Sequence, residues 1–593
     1  MKTSKQLWQA SLLLLPLTGG ILMGLTPSPV EAWPLAWIAL VPLWFLVGKG
    51  AIHGAPSSIR QSALYGLVWG IGYHGLALFW ITGIHPMEWM GVPWLASLAI
   101  ATFCLTFITL CGGVLVATWA ALLFWIVGRG SRRKPPTLNS AQDFGSWIYQ
   151  KPRIIAWVRL LVGTALWCGL EALWSAGSLW WTSLSFTQSP HNLLILHLGQ
   201  LSGPSTVTAA IVAVNGLIAE AWISYQHGKE QTRGKSMERG SKEERSLQFP
   251  NKQTQPKPSN YLPLFLQRTL TSLTLRDRDY PSPLLYLGTA VGLFVVLHLI
   301  GFGLYSRPLI QPDVAALRVG IIQGNIPNEI KLYSEGGRRA LDGYTTGYQA
   351  LADQGVEVVL TPEVALPFLW TAQVQARNAF YSAVLEKGVV AWIGAFGDQG
   401  RSYTNSLFTI TGTGKTFSRY DKAKLVPLGE YIPFEEFFGG LIDRLSPLDA
   451  HLIAGSSSQI FETPFGRAIV GICYESAFAE HFRRQAATGG QFILSSSNDA
   501  HYSKSMPAQH HAQDVMRAIE TDRWAVRATN TGYSGIVDPH GKTVWISRLN
   551  TYALHTDTIY RRQTQTLYVC WGDWLTLMLL GSAGLSWFVF NRR

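Results

Sequence analysis

Charged residues are scarce in this chain. Asp, Glu, Lys and Arg make up 14% of its 593 residues, against about 25% in ordinary soluble domains. That scarcity, with 48% hydrophobic residues, excludes a disordered chain and a simple water-soluble enzyme. Cysteine is scarce too. There are five, and Cys104, Cys111, Cys168 and Cys570 lie in or beside apolar runs. This excludes a disulfide framework and a zinc-type ligand spacing, so no metal and no cofactor are expected. Only Cys473 lies in a polar stretch.

Long apolar runs are present. A membrane helix needs about 20 mainly apolar residues. Eight candidates run over 12–25, 34–47, 63–84, 94–127, 155–174, 207–224, 284–305 and 574–590. Three connecting stretches, 26–33, 85–93 and 176–206, have no Lys or Arg. The alternate stretches carry Lys2 and Lys5, then Lys49 and Arg60, then Arg129, Arg132, Arg133, Lys134, Lys151 and Arg153, then a basic run over 229–278, and finally Arg592-Arg593. Short cytoplasmic loops concentrate Lys and Arg. The alternation therefore predicts both termini in the cytoplasm, and the region between the seventh and eighth helices on the other side. Much of the net charge of +12 is then a topology signal, and no nucleic-acid partner is expected. Lys2, Lys5, the leucine run and Val30-Glu31-Ala32 also fit a cleavable signal peptide, which would leave seven helices.

The organisation expected is six helices over 1–226, a flexible basic cytoplasmic loop over 227–282, a seventh helix over 283–305, an α/β domain over 313–562 and an eighth helix over 574–590. Within the α/β domain, β-branched runs predict strands at 314–323, 356–361, 389–395, 406–410, 467–473, 491–495, 524–529 and 535–537. Helical patterns cover 338–352, 372–386, 477–487 and 508–522. This mix suggests a layered sandwich.

Three segments carry polar residues where strands should end. Glu363 follows an apolar run in Leu360-Thr361-Pro362-Glu363; it could be a site carboxylate, or a helix-start residue favoured by Pro362. Lys422 and Lys424 fall on one side of an extended stretch, one inside and one at the rim, or both solvated. Cys473 ends Val470-Gly471-Ile472-Cys473; it could be a structural thiol. A thiol exposed at a strand-to-helix elbow would instead have its pKa lowered by the helix N-terminus.

Taken together, Glu363, Lys422 and Cys473 resemble the catalytic triad of the nitrilase superfamily. Ile322-Gln323-Gly324-Asn325-Ile326-Pro327, Leu425-Val426-Pro427-Leu428-Gly429-Glu430 and Ser497-Asn498-Asp499-Ala500 resemble the bacterial apolipoprotein N-acyltransferases, as does the eight-helix plan with an α/β domain between the last two helices. The resemblance implies an αββα sandwich beside a membrane bundle. It implies transfer of an acyl chain from a phospholipid to the α-amino group of an S-diacylglyceryl-cysteine at an apolipoprotein's N-terminus, through a thioester on Cys473. Glu363 would act as base and acid. Lys422 and the Tyr474 N–H would hold the oxyanion, with Glu430, Tyr474 and Glu475 in support. Glu475 is expected to point away from the thiol or engage a cation, because a neighbouring carboxylate raises a thiol pKa. The partners implied are the phospholipid donor, the diacylglyceryl-apolipoprotein acceptor and the bilayer, with the chain a monomer in the bacterial inner membrane and its catalytic domain on the periplasmic face. Two positions depart from the family pattern: Leu332 and His501 stand where Trp is expected. His510 and His511 read as surface helix residues. Asn498 and Arg517 read as structural polar partners, and Glu171 as the main intramembrane charge. The competing function is a membrane-tethered amidase using the same three residues.

Overall fold

The computed structural model describes residues 2–53, 58–131, 141–247, 282–427, 429–431 and 452–592. Helices occupy all eight apolar regions. Four of them, Trp94–Gly128, Ile154–Ala176, Pro204–Glu230 and Pro283–Tyr305, are long and apolar enough to cross a membrane; Leu12–Gly24, Trp33–Lys49 and Trp574–Val589 are apolar but shorter. The third region is helical over Ile59–Ala77 and continues as a 3-10 turn over Phe79–Ile84.

The helices pack closely where side chains are small. A Cβ on Gly20 would lie 2.1 Å from the Trp69 carbonyl oxygen, and one on Gly301 would lie 1.9 Å from that of Leu194. Two charges the sequence did not single out sit inside the bundle. Arg159 pairs with Glu220, which also accepts from Trp44 Nε1. Glu171 accepts from Trp167, Ser183, Thr208 and the Leu184 N–H. Each of the two carboxylates is thus surrounded by donors, as burial requires.

The expected loop over 227–282 needs correcting. The sixth helix does not stop near residue 224; it runs over Pro204–Leu247. Residues 225–247 are rich in Glu, Gln, Lys and Arg, whose unbranched side chains lose little freedom in a helix. The rest of that expected loop, 248–281, lies outside the described residues.

The α/β domain contains thirteen strands among the described residues: Ala316–Gln323 (β1), Val358–Leu360 (β2), Leu366–Leu369 (β3), Val390–Gln399 (β4), Ser402–Ile410 (β5), Thr416–Asp421 (β6), Phe461–Thr463 (β7), Gly466–Ile472 (β8), Phe492–Ser497 (β9), Ala525–Thr529 (β10), Gly535–Val537 (β11), Thr543–Ile546 (β12) and Ala553–Tyr560 (β13). One sheet runs β13-β1-β2-β4-β5-β6, with β3 beside β4; the other runs β12-β11-β10-β9-β8-β7. Alternate residues explain the layering. Val319, Ile321, Val358 and Leu360 of the first sheet meet Val470, Ile472, Leu494 and Val526 of the second. Ile322, Val359 and Ile393 turn outward onto Tyr344, Tyr348 and Phe380. Ile469, Ile493 and Ala525 turn outward onto Phe482, Val515 and Ile519. The result is a helix–sheet–sheet–helix sandwich. The predicted helix 372–386 is two, Ala372–Gln375 and Ala379–Lys387, because the Asn378 side chain accepts from the Phe380 and Tyr381 N–H groups and starts the second afresh.

All three stretches without Lys or Arg touch the sandwich. Gln509, in the helix Ser505–Thr521, donates to the Ser28 and Ala77 carbonyls and accepts from Trp80 Nε1 and Trp181 Nε1, at 2.9, 2.9, 3.1 and 2.8 Å. The Tyr333 hydroxyl reaches the Trp89 carbonyl, and Ser189 reaches that of Ala512. Gln509 has every amide donor and its acceptor in use.

Gln509→Leu should therefore leave two indole N–H groups and two carbonyls buried without partners. Each such orphan costs about 1–3 kcal/mol, so the loss should be about 3 kcal/mol or more. Thermal unfolding of the detergent-solubilised protein measures it, and an unchanged melting temperature would contradict this account of the junction.

Candidate active site

Glu363, Lys422 and Cys473 come from three strand ends. Glu363 lies three residues after β2, Lys422 immediately after β6, and Cys473 immediately after β8. All three side chains are buried. Lys422 Nζ donates to Glu363 Oε1 at 2.8 Å and to Glu430 Oε1 at 2.9 Å. Asn405 Nδ2 donates to the same two carboxylates at 2.7 and 3.0 Å. Two of the three lysine N–H donors are thus engaged, and the third is open to a further acceptor. Glu430 uses its other oxygen to accept from the Val426 N–H, which holds the loop after Lys422. Lys424 does not enter this cluster; its ammonium lies 4.9 Å over the Phe478 ring.

Burial opposes the charge of Glu363, but Lys422, Lys331 and Asn405 outweigh it and hold the carboxyl below its usual range. Burial likewise opposes the charge of Lys422, yet Glu363 and Glu430 keep its ammonium well above the usual lysine value. The cysteine departs from expectation. Burial first, and then the Glu363 charge, push the Cys473 thiol well above its ordinary value, with Lys422 opposing. The helix N-terminus expected at the sulfur is not there: a single 3-10 turn, Cys473–Ala477, follows β8, and the α-helix begins only at Ala479. The resting sulfur is therefore a thiol, and reaction at it requires a base.

Glu475 is held by backbone N–H groups and a tyrosine hydroxyl. It is completely buried. One oxygen accepts from the Ala423 and Lys424 N–H groups at 2.7 and 3.0 Å, the other from the Ile472 N–H at 2.8 Å, and the Tyr420 hydroxyl bridges both. Glu475 thus ties the lysine loop to the cysteine turn. Tyr474 faces the membrane part instead. Its hydroxyl donates to the Ser178 carbonyl at 2.6 Å and accepts from the Trp180 N–H at 3.1 Å, and its ring stacks on Trp181.

Several site residues escaped the sequence reading. Asn405 sits mid-strand with no motif around it. Lys331 is buried and donates to the Glu363 carbonyl at 2.9 Å; burial lowers its ammonium to about 8. His510 is a correction. It is fully buried rather than on the surface, with Nε2 2.7 Å from the Cys473 carbonyl and Nδ1 3.1 Å from Asp499. His511 is buried as well and bonds Thr543. Their helix looks amphipathic in sequence, but its second face is covered by the membrane part. Ligand-type atoms of Cys473, Asp499 and His510 lie within 4.8 Å of one another. Both ring nitrogens of His510 are already committed, which leaves that cluster poorly suited to a metal. Arg517 reaches the Ser476 carbonyl and Asn498 accepts from Asn530. At the mouth, Leu332 is half exposed, and His501 bonds Asn328 and faces Trp89.

Residues 318–565 match the family model described as carbon-nitrogen hydrolase, and residues 19–217 match that of the apolipoprotein N-acyltransferase N-terminal domain. A Nostoc sp. protein named apolipoprotein N-acyltransferase is 57% identical over 566 residues, which cover 95% of this chain and 97% of that one. One of the same name from Synechocystis sp. is 44% identical over 571 residues, covering 95% and 98%. A solved amidase from Nesterenkonia sp. is 18% identical, covers 44% of this chain and 95% of its own, and has a TM-score of 0.32.

Lys422→Ala would leave the buried Glu363 and the partly buried Glu430 without their shared cation. Removing one partner of a buried pair costs about 3–5 kcal/mol. Lys424→Ala, which loses only the contact with Phe478, should cost about 0.5–1 kcal/mol. The carboxyl of Glu363 is lowered in the folded state, so its pairing stabilises fully above its unfolded value of 4.5 and is lost as the pH falls through the folded value. The gap between wild type and Lys422→Ala should therefore narrow in acid. Thermal unfolding of both variants across pH checks the order and the trend; a larger loss for Lys424→Ala would contradict the assignment.

Proposed function

This chain belongs to the apolipoprotein N-acyltransferase family, and we propose that it moves an acyl chain from a membrane phospholipid to the α-amino group of a diacylglyceryl-cysteine at an apolipoprotein's N-terminus. The observation that carries the reading is the convergence of Glu363, Lys422 and Cys473 in one buried cluster, on a sandwich whose nucleophile turn is bonded to the membrane part. Glu363 takes the proton of the Cys473 thiol. The sulfur attacks the donor's ester carbonyl, and the oxyanion is held by the open N–H of Lys422 and by the Tyr474 N–H. Collapse breaks the C–O bond, and the departing lysophospholipid oxygen takes the proton from Glu363. The acceptor amine then attacks the thioester, and Glu363 takes the amine's proton. Collapse breaks the C–S bond, and Glu363 returns the proton to sulfur. Two easier steps replace one difficult one.

Glu430 and Asn405 hold Lys422 and Glu363 in register, and Glu475 and Tyr474 hold the nucleophile turn. The domain division is a membrane part over 1–226, 283–305 and 574–590, a connecting segment over 227–282 and a catalytic domain over 313–562. The reading has eight crossings, both termini in the cytoplasm, and the catalytic domain on the periplasmic face of the bacterial inner membrane. The distribution of Lys and Arg supports it, as does the contact of all three Lys- and Arg-free stretches with the sandwich. The reading takes the chain as a monomer. A membrane-tethered amidase would leave the match over residues 19–217 without a purpose.

Intact mass after incubation with phospholipid alone tests the reaction. Wild type should gain one acyl chain on Cys473, and Cys473→Ala none. Glu363→Gln should slow adduct formation by about 10²–10⁴-fold, the usual contribution of a general base. The adduct should persist in buffer and discharge with a diacylated lipopeptide, but not with its N-acetylated form, whose nitrogen is no longer nucleophilic. Rapid loss in buffer, with free fatty acid and no amide, would favour the amidase.

A further inference from the structure

The nucleophile sits in a backbone conformation that its residue type resists. Cys473 has φ +50°. For a residue with a Cβ this left-handed region costs on the order of 1–3 kcal/mol and persists only where the surroundings over-determine it. One determinant is visible. His510 Nε2 lies 2.7 Å from the Cys473 carbonyl oxygen. That oxygen can only accept, so Nε2 carries a proton and donates it. The other ring nitrogen, Nδ1, shares a proton with Asp499 Oδ1 at 3.1 Å, which sets the ring's orientation.

The consequence runs through one peptide unit. The C=O of Cys473 and the N–H of Tyr474 share a planar trans peptide, so they point in opposite directions. Holding the carbonyl against the helix Ser505–Thr521 turns the Tyr474 N–H away from that helix. In the opposite orientation a carbonyl oxygen would take the place of the N–H and repel an oxyanion. The geometry points to His510 as a positioning residue for acyl transfer: it fixes the Cys473–Tyr474 peptide so that the Tyr474 N–H is presented to the oxyanion, and Asp499 holds the ring that does so. This rests on the thioester reaction proposed above.

The residue before it explains why the arrangement is firm. Gln509 spends all four of its hydrogen bonds on Ser28, Ala77, Trp80 and Trp181 of the membrane part, and the His510 ring packs 5.7 Å from the Trp181 ring. The helix backbone that carries His510 is therefore set by the membrane platform. On the far side of Cys473, Tyr474 is bonded to Ser178 and Trp180 of the same platform. The peptide that presents the oxyanion donor is held from both ends by the part of the protein that meets lipid.

Two variants of the full-length enzyme and two chemistries test the assignment. In His510→Gln the amide nitrogen reaches the place of Nε2 and can still donate to the Cys473 carbonyl. In His510→Asn it reaches only the place of Nδ1. Acylation of Cys473 by phospholipid passes through an oxyanion, whereas alkylation by iodoacetamide does not. His510→Asn should slow acylation by about 10²-fold or more, the usual loss for one oxyanion donor, with the KM for phospholipid and the alkylation rate unchanged. His510→Gln should recover about tenfold or more of that loss. Equal acylation by the two variants, or alkylation falling in step with acylation, would overturn the assignment and leave the thioester reaction standing. If His510→Asn does not fold, His510→Gln decides alone. Acylation within about tenfold of wild type at an unchanged alkylation rate supports the role, and loss of both rates together overturns it. A wild type that forms no acyl adduct would instead overturn the reaction, and this role with it.

Discussion

A buried lysine ammonium held between two carboxylates constrains everything around it. Lys422 and Glu363 are buried and Glu430 is partly so, and the ammonium bonds both carboxylates. Removing Lys422 strands both carboxylates, and an unpaired buried charge costs several kcal/mol. The loop after β6 must therefore close on the turn after β2, and Asn405 on β5 must reach across to both carboxylates. The cluster also sets the state of the sulfur. Burial and Glu363 together keep Cys473 protonated, so the base that makes the thiol hard to ionise is also the group able to take its proton when an ester arrives.

The cysteine turn is tied to that cluster through carboxylates that never meet a substrate in the proposed reaction. Glu475 gathers N–H groups from Ile472, Ala423 and Lys424, which locks the strand end before the nucleophile to the strand end that carries the lysine. Asp514 binds Ser476 and pairs with Arg527, and Arg527 reaches Ser497. Buried carboxylates are well suited to this, because one carboxylate can satisfy several backbone donors that would otherwise be orphaned.

Much of this was legible in the chain. Glu363 and Cys473 stand at the ends of apolar runs, Lys422 stands out through the resemblance to the family triad, and all eight predicted strands are present. What escaped has physical reasons. Strands β3, β6, β7, β12 and β13 are short or part-exposed, so their side chains do not spell a clean alternation. Lys331 carries no motif, and His510 reads as a surface residue because imidazole groups are often exposed. Their burial follows from contacts between segments far apart in sequence: Lys331 with the turn after β2, and His510 with a helix face covered by the membrane part. Glu475 was read through its neighbour's chemistry, whereas its role lies in backbone donors that no sequence displays. The sulfur's proton affinity was misjudged for a similar reason, since one 3-10 turn in place of an α-helix removes the dipole on which the expectation rested.

The raised thiol suits a thioester enzyme that works among lipids. A thiolate reacts with any oxidant or electrophile that reaches it, whereas a buried neutral thiol waits. In the proposed reaction sulfur becomes nucleophilic only as Glu363 takes its proton, and the oxyanion then formed needs donors already in place, because a dry site has no water to reorganise around it. Lys422 is ready because two carboxylates hold it charged. The Tyr474 N–H is a backbone group and cannot be tuned by protonation, only by direction. Direction is what a hydrogen bond on the preceding carbonyl controls. One donor is thus secured by charge and the other by peptide geometry, and the second depends on the docking of the sandwich on its membrane platform. Loosening that docking should disturb the chemistry before it disturbs the fold of the sandwich itself.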